Sequence, residues 1–235
     1  RQCVLPLARD RDRAQPEAWT LTASGSSALI AISYVFYLYK IGAVAEFNWL
    51  LGLIALFVAI ILQIFVNLIN GKKDSKYFIG ELLVYVAYGL LIPLGVSFVM
   101  TSEIILRMLI VSIPVGLLIV AVVYANNTRD IKKDKDANIK TEAVRLGLEG
   151  AQVTYQTLLF AAYLLIAILV SVELLHPITF LTLLSFPLAN RNIKKMKMAQ
   201  HNDNSHIQQL DRQTAKLLIL FVVFYSAANF IAPFI

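Results

Sequence analysis

The chain has 235 residues, of which 58% are hydrophobic and only 15% are charged, and its mean hydropathy is +0.69. Soluble domains carry about 25% charged residues, so the composition excludes an ordinary soluble protein and indicates an integral membrane protein. The net charge of +6 does not indicate nucleic-acid binding, because the Lys and Arg residues lie between apolar runs and form no single basic face.

In chain order, residues 1–21 form a basic tail without the apolar core of a secretory signal, so we expect the chain's own helices to anchor it. Apolar runs that approach the roughly 20 residues needed for a membrane helix then recur to the C-terminus. They predict seven spans, at 22–40, 49–69, 78–100, 104–125, 152–172, 174–190 and 214–234. The expected fold is therefore all-α, a polytopic transmembrane helix bundle over residues 22–235.

Positive charges alternate along the chain in step with the predicted spans. They concentrate in the tail and at 72–76, 129–145 and 191–212, whereas the other short loops contain almost none. By the positive-inside rule, these segments face the cytoplasm. The pattern predicts a multi-pass protein of a bacterial inner membrane or, in a eukaryote, of the ER, Golgi or a mitochondrial membrane. No feature of the sequence specifies an oligomeric state.

The polar segment 126–149, NNTRDIKKDKDANIKTEAVRLGLE, directly follows an aliphatic span. If the helix continues past Ala125, then Asn126, Asp130 and Asp134 lie at i, i+4 and i+8 and form one stripe at the membrane edge. Mg²⁺ prefers oxygen ligands and takes one or two carboxylates while phosphate oxygens and water complete its shell. The spacing thus suggests a magnesium-dependent diphosphate site. The alternative is a charged loop that faces water and only fixes the orientation of the protein in the membrane, because such a loop can have the same spacing.

Basic side chains of the same segment are candidates for the phosphate oxygens of such a ligand. Arg129 and Lys133 form an i, i+4 pair next to the stripe, and Lys140 and Arg145 lie further along the segment. Guanidinium and ammonium groups bind phosphate through charge-assisted hydrogen bonds. The segment therefore contains both metal-ligand and phosphate-ligand candidates.

The longer string NNTRDIKKDKDANIKTEAVRLG resembles the second Asp-rich motif of UbiA-type prenyltransferases, in the NNxRDxxxDxxxxxxTxAVRLG form of the menaquinone branch. The segment 76–95, KYFIGELLVYVAYGLLIPLG, is similar to the helix that precedes this motif, with Gly80, Glu81 and Gly89 at matching places. WTLTAS at 19–24 and RQTAKLLILFVVFYSAANFIAP at 212–233 are similar to the family's first and last helices.

This resemblance implies a membrane prenyltransferase that binds an isoprenyl diphosphate through Mg²⁺ and transfers the isoprenyl chain to an aromatic acceptor in menaquinone or vitamin K2 biosynthesis. Asp130 and Asp134 would be the catalytic carboxylates and the metal ligands. The implied substrate-binding residues are Asn67, Asn70, Asn126, Asn127, Arg129, Lys133, Lys140 and Arg145.

The sequence departs from the family at residues 67–74, NLINGKKD, where the family has its first Asp-rich motif, roughly NxxNDxxDxxxGxD. Asn67 and Asn70 match the asparagines of that motif, but its acidic residues and two of the family's nine helices have no counterpart near 70–76. We therefore expect an internally deleted domain with weak or no turnover. The alternative is a non-catalytic membrane protein that binds a prenyl lipid or a protein partner.

Overall fold

A computed structural model of the chain describes residues 15–44, 50, 80–200 and 205–235, and over these ranges the chain forms helices and no β-strand. The α-helices are α1 Gln15–Lys40, α2 Gly80–Val84, α3 Ile92–Thr101, α4 Arg107–Val111, α5 Ile113–Asp136, α6 Glu142–Ser171, α7 Phe186–Met198 and α8 Leu210–Ile231. A π-helical turn, Tyr85–Leu91, joins α2 to α3, and a 3₁₀-helix, Pro177–Ser185, leads into α7. Two single-turn 3₁₀-helices, Ser205–Ile207 and Ala232–Phe234, flank α8. The all-α prediction is confirmed for this part of the chain.

Six of the seven predicted spans overlap described helices, whereas the span at 49–69 lies, apart from Leu50, outside the described residues. The span predicted at 174–190 falls mainly on the 3₁₀-helix Pro177–Ser185, and α7 continues to Met198 within the predicted basic loop. α1 already begins at Gln15, inside the segment predicted to be a tail. The helical stretches Glu142–Ser171 and Ser205–Phe234 are long and apolar enough to cross a membrane, and Tyr85–Thr101 is a shorter apolar helix. The number of membrane crossings stays a prediction.

Helix α5 lies at the centre of the bundle. Pro114 occupies its first turn, where the missing N–H of proline costs nothing. From Val115 to Ala125 nearly every side chain is buried, as expected for a helix that is apolar on all sides and surrounded by neighbours. α5 packs most extensively against α6 and also against α8 and the π-helical turn, and α8 packs in turn against α1.

Hydrogen bonds between buried side chains tie α8 to the helices around it. Tyr225 Oη donates to the carbonyl oxygen of Val111 in α4 at 2.9 Å, and Tyr155 Oη in α6 lies 2.7 Å from Thr214 Oγ1. Asn229 Nδ2 donates to Ser33 Oγ in α1 at 3.2 Å. Because a buried polar group is costly unless it is hydrogen-bonded, these pairs favour one arrangement of the helices.

The π-helical turn meets α5 at two glycines. A Cβ atom added to Gly116 would lie 2.9 Å from Gly89 Cα and 2.9 Å from Tyr85 Cε2, and one added to Gly89 would lie 2.9 Å from Gly116 Cα. Real Cβ atoms do not approach other atoms so closely, so the two backbones are as near to each other as glycine alone permits. This contact holds α2 and the π-helical turn against the central helix.

Candidate functional site

Helix α5 continues through the polar segment as far as Asp136, so Asn126, Asp130 and Asp134 lie on its successive last turns. All three residues are partly buried. Asn126 Oδ1 and Asp130 Oδ2 accept hydrogen bonds from the same nitrogen, Arg129 Nη2, at 2.6 and 2.7 Å. The side chains of Asn126 and Asp130 therefore converge on one point at the end of the central helix.

Arg129 lies between carboxylates of two helices. Its Nε donates to Asp130 Oδ1 at 3.2 Å, which makes the contact with that carboxylate bidentate, and its Nη1 donates to Asp211 Oδ2 in α8 at 2.9 Å. Burial by itself lowers the pKa of the guanidinium, but the hydrogen bonds and charges of Asp130 and Asp211 outweigh burial and raise the pKa overall. Arg129 is therefore firmly ionised, and its strong contacts are charge-assisted hydrogen bonds within the protein.

Asp134 forms an acidic pair with Asp130. Burial and, to a lesser extent, the charge of Asp130 raise the pKa of the Asp134 carboxyl to about 6, although Lys133 and Arg129 offset part of the increase. Lys133 Nζ lies 3.5 Å from Asp130 Oδ1, but 77% of the Lys133 side chain is exposed, so this ion pair is weak. The negative charges of these two neighbouring carboxylates are thus only partly neutralised by the basic residues around them.

The donor set at this end of α5 fits half of a magnesium site. Within the described residues, no three His, Cys, Asp or Glu side chains are grouped so as to hold a metal ion. Mg²⁺ does not require such a group, because one or two carboxylates suffice when phosphate oxygens and water supply the other ligands. A cation would also relieve the repulsion between Asp130 and Asp134 that contributes to the raised pKa of Asp134.

Asn127 faces away from the stripe and toward α2. Its Nδ2 donates to Glu81 Oε1 at 2.7 Å, and Glu81 is only 7% exposed. Burial and the charge of Glu81 raise the pKa of Glu142 in the first turn of α6, and Arg145 offsets part of this increase. Asn127 therefore helps to join α5 to α2, beside a second pair of acidic residues.

The remaining site candidates lie away from the stripe or outside the described residues. Lys140 is exposed in the connection between α5 and α6, and Arg145 is exposed on the first turn of α6. Soon after Arg145, Gly147 interrupts α6 with a φ of +69°, a conformation that glycine adopts without strain. Asn67 and Asn70 fall in the part of the chain that the structure does not describe.

Two contacts near the candidate site are not predicted by the sequence, Arg129 with Asp211 and Asn127 with Glu81. In the sequence, Glu81 is only a matching position in the helix before the motif, and Asp211 is a single acidic residue at the end of a basic segment. The two members of these pairs are 82 and 46 residues apart in the chain. Such contacts follow from how helices pack, which residue spacing does not encode.

The raised pKa of Asp134 predicts that stability falls as the pH rises. The carboxyl titrates near 3.8 in the unfolded chain and at about 6 in the folded chain, so the folded chain binds the proton more tightly. The free energy of unfolding therefore decreases as the pH rises from about 4 to about 6. We expect Asp134→Asn to melt at a higher temperature than the parent above about pH 7, with the gain shrinking toward pH 4. Exposed Asp136→Asn should show no such pH-dependent gain, and an Asp134→Asn gain that is absent or independent of pH would contradict the prediction.

Comparison with known proteins identifies the family. The sequence profile of the UbiA prenyltransferase family matches residues 9–208. The chain is 33% identical over 173 residues to UbiA prenyltransferase domain-containing protein 1 of Mus musculus, covering 71% of this chain and 47% of that protein. It is 31% identical over 173 residues to the Homo sapiens protein of that name, with the same coverage, and 32% identical over 166 residues to the Drosophila melanogaster homolog, covering 68% of this chain and 43% of that protein. The chain therefore spans somewhat less than half the length of these relatives. It belongs to the UbiA prenyltransferase family.

Proposed function

We propose that the polar end of α5 binds the diphosphate of an isoprenyl diphosphate. The chain would then transfer the isoprenyl group to an aromatic, naphthoquinone-type acceptor, as in menaquinone or vitamin K2 synthesis, with weak or no turnover in this form. The observation that carries the proposal is the convergence of Asn126 and Asp130, with Asp134 on the next turn, at the end of a buried apolar helix. An isoprenyl diphosphate has a matching division into one charged end and one apolar chain.

The residues of the stripe have distinct roles in this proposal. Asp130 and Asp134 would hold Mg²⁺, which when bound would draw electron density from the diphosphate and assist its departure. Asn126 lies beside Asp130 and shares its hydrogen-bond donor, so it helps to orient that carboxylate. Lys133 extends from the same helix, and most of its side chain is exposed. Its ion pair with Asp130 is weak, so Lys133 can leave Asp130 and bind phosphate oxygens with little loss.

The weak turnover in the proposal rests on the sequence at 67–74. The resemblance implies two Asp-rich motifs that act together on the diphosphate, and only the asparagines of the first, Asn67 and Asn70, have counterparts here. Preorganised charges that stabilise a transition state contribute factors of roughly 10²–10³ each in rate. A chain that retains only the second motif would therefore still bind the diphosphate while reacting very slowly.

The test separates binding from chemistry. The chain is purified in detergent and titrated with geranylgeranyl diphosphate by calorimetry, with Mg²⁺ and with excess EDTA, and parallel samples receive menadiol or a dihydroxynaphthoate and are analysed for prenylated product. We expect Mg²⁺-dependent binding and a product rate at least about 100-fold below that of an active UbiA enzyme assayed alongside.

The possible outcomes bear on separate parts of the proposal. Binding that does not depend on Mg²⁺, or no binding, would contradict the diphosphate site. Turnover close to that of the active enzyme would contradict the assigned consequence of the incomplete first motif. Binding with no product at all would favour the alternative of a non-catalytic membrane protein that binds a prenyl lipid.

A further inference from the structure

Asp211 is a carboxylate outside both Asp-rich motifs that reaches the candidate site through Arg129. It lies in the first turn of α8, is only 9% exposed, and accepts a hydrogen bond from Arg129 Nη1 at 2.9 Å. Arg129 belongs to α5, so this ion pair connects the polar ends of two helices that also pack against each other. An ion pair so largely removed from water is much less screened than one on an open surface.

The contacts of Arg129 fix the plane of its guanidinium. Nε and Nη2 donate to the two oxygens of Asp130, Nη2 also donates to Asn126, and Nη1 donates to Asp211 on the opposite side. The planar guanidinium has its donors in a rigid arrangement, so a rotation that improved one contact would weaken the others. Turning Nη1 toward an incoming diphosphate would break the hydrogen bond to Asp211.

We propose that Asp211 is a positioning residue, an inference that rests on the proposed diphosphate site. By holding Nη1 of Arg129, Asp211 keeps Nη2 where it orients both Asn126 Oδ1 and Asp130 Oδ2 for the Mg²⁺-diphosphate group. Arg129 then acts as a support between α5 and α8, and this replaces the direct phosphate contact expected from the sequence. Lys133, next to the stripe, is the basic residue that meets phosphate oxygens.

Two substitutions at this position separate orientation from charge. Asp211→Ala removes both the acceptor and the charge, whereas Asp211→Asn removes the charge but keeps an acceptor oxygen for Nη1. We expect Asp211→Ala to weaken the Mg²⁺-dependent affinity for geranylgeranyl diphosphate by about tenfold or more, as the loss of an outer support of a metal ligand does. Asp211→Asn should stay within about threefold of the parent because its hydrogen bond to Arg129 is retained.

Gln213→Ala is the matched control for a lost contact between helices. Gln213 lies two residues after Asp211 in α8, and its side chain accepts a hydrogen bond from Lys195 Nζ in α7 at 2.9 Å. Its substitution should leave diphosphate affinity unchanged. Equal losses in Asp211→Ala and Asp211→Asn would overturn the proposal in favour of a charge effect, and a lower melting temperature with unchanged Mg²⁺-dependent affinity would overturn it in favour of a purely structural contact.

A second measurement needs no substrate. The ¹⁵N-labelled arginine Nε–Hε resonance of Arg129, assigned with Arg129→Lys, should exchange slowly with water in the parent and in Asp211→Asn, and quickly in Asp211→Ala. If the parent does not bind the prenyl diphosphate, the proposed function fails, and this resonance still decides whether Asp211 positions Arg129. Slow exchange that persists in Asp211→Ala would overturn the inference.

Discussion

Asp130→Asn is expected to remove most of the Mg²⁺-dependent affinity for geranylgeranyl diphosphate, by about 100-fold. The substitution conserves size but removes a negative charge from the candidate metal site, where Asp134 is the other carboxylate. It also puts a carboxamide NH₂ group where Arg129 now donates to two carboxylate oxygens, so the bidentate contact is lost. Calorimetric titration with Mg²⁺ and with EDTA measures the metal-dependent part directly.

Asp136→Asn provides the control for this substitution, because Asp136 is an exposed carboxylate at the end of the same helix. It removes the same charge from the same terminus, and we expect an affinity within about twofold of the parent because exposed charges contribute little. If both variants lost affinity equally, the effect would come from the general charge of the helix end. The stripe would then not be a metal site.

Gly116→Ala is expected to lower the stability of the protein by about 1–3 kcal/mol, as overpacking of a close-packed interior does. The new Cβ would lie 2.9 Å from both Gly89 Cα and the Tyr85 ring. The Tyr85 ring can rotate, but the Gly89 backbone can move only if the π-helical turn moves away from α5. Because native proteins are stable by only about 5–15 kcal/mol, the melting temperature in detergent should fall clearly.

Gly95→Ala is the appropriate control for the glycine substitution. Gly95 lies in α3, in a regular helix, and a Cβ atom there would meet nothing within 4 Å. Alanine is favoured over glycine inside a helix by about 0.5–1 kcal/mol, so this variant should be as stable as the parent or slightly more so. Equal melting temperatures for the two variants would show that the bundle can widen at the Gly89–Gly116 contact without cost.

Local patterns of the sequence predicted the features that depend on local physics. Apolar length predicted the apolar parts of the described helices, because a helix that is buried or faces lipid needs an uninterrupted apolar stretch, but not their polar ends, such as residues 142–151 of α6 and 191–198 of α7. The i, i+4, i+8 spacing of Asn126, Asp130 and Asp134 placed them on one stripe once the helix continued past Ala125, as it does in α5. The family resemblance, carried mainly by the segment 126–147, agrees with the profile match over residues 9–208.

Features that depend on contacts between distant segments could not be predicted in this way. The partners of Arg129 and Asn127 are set by the packing of α8 and α2 against α5, and no periodicity within one helix specifies a neighbour. The π-helical turn at Tyr85–Leu91 likewise differs from an α-helix only in which backbone groups are hydrogen-bonded, and an apolar sequence is compatible with either pattern. The interruption of α6 at Gly147 could not be predicted, because the predicted span begins only at residue 152 and Gly147 falls in the polar segment before it.

The wide turn at Tyr85–Leu91 also determines which way the residues before it point. Successive residues of an α-helix are rotated by about 100° about the helix axis, and a π-helical turn contains more residues than an α-helical one. The side chains before the turn are therefore rotated about the axis relative to those after it. With a uniform α-helical pitch from Gly80 to Thr101, Glu81 would emerge at a different azimuth from the one at which it meets Asn127. The π-helical turn thus orients Glu81 toward Asn127, a direction that a regular α-helix through the same residues would not give it.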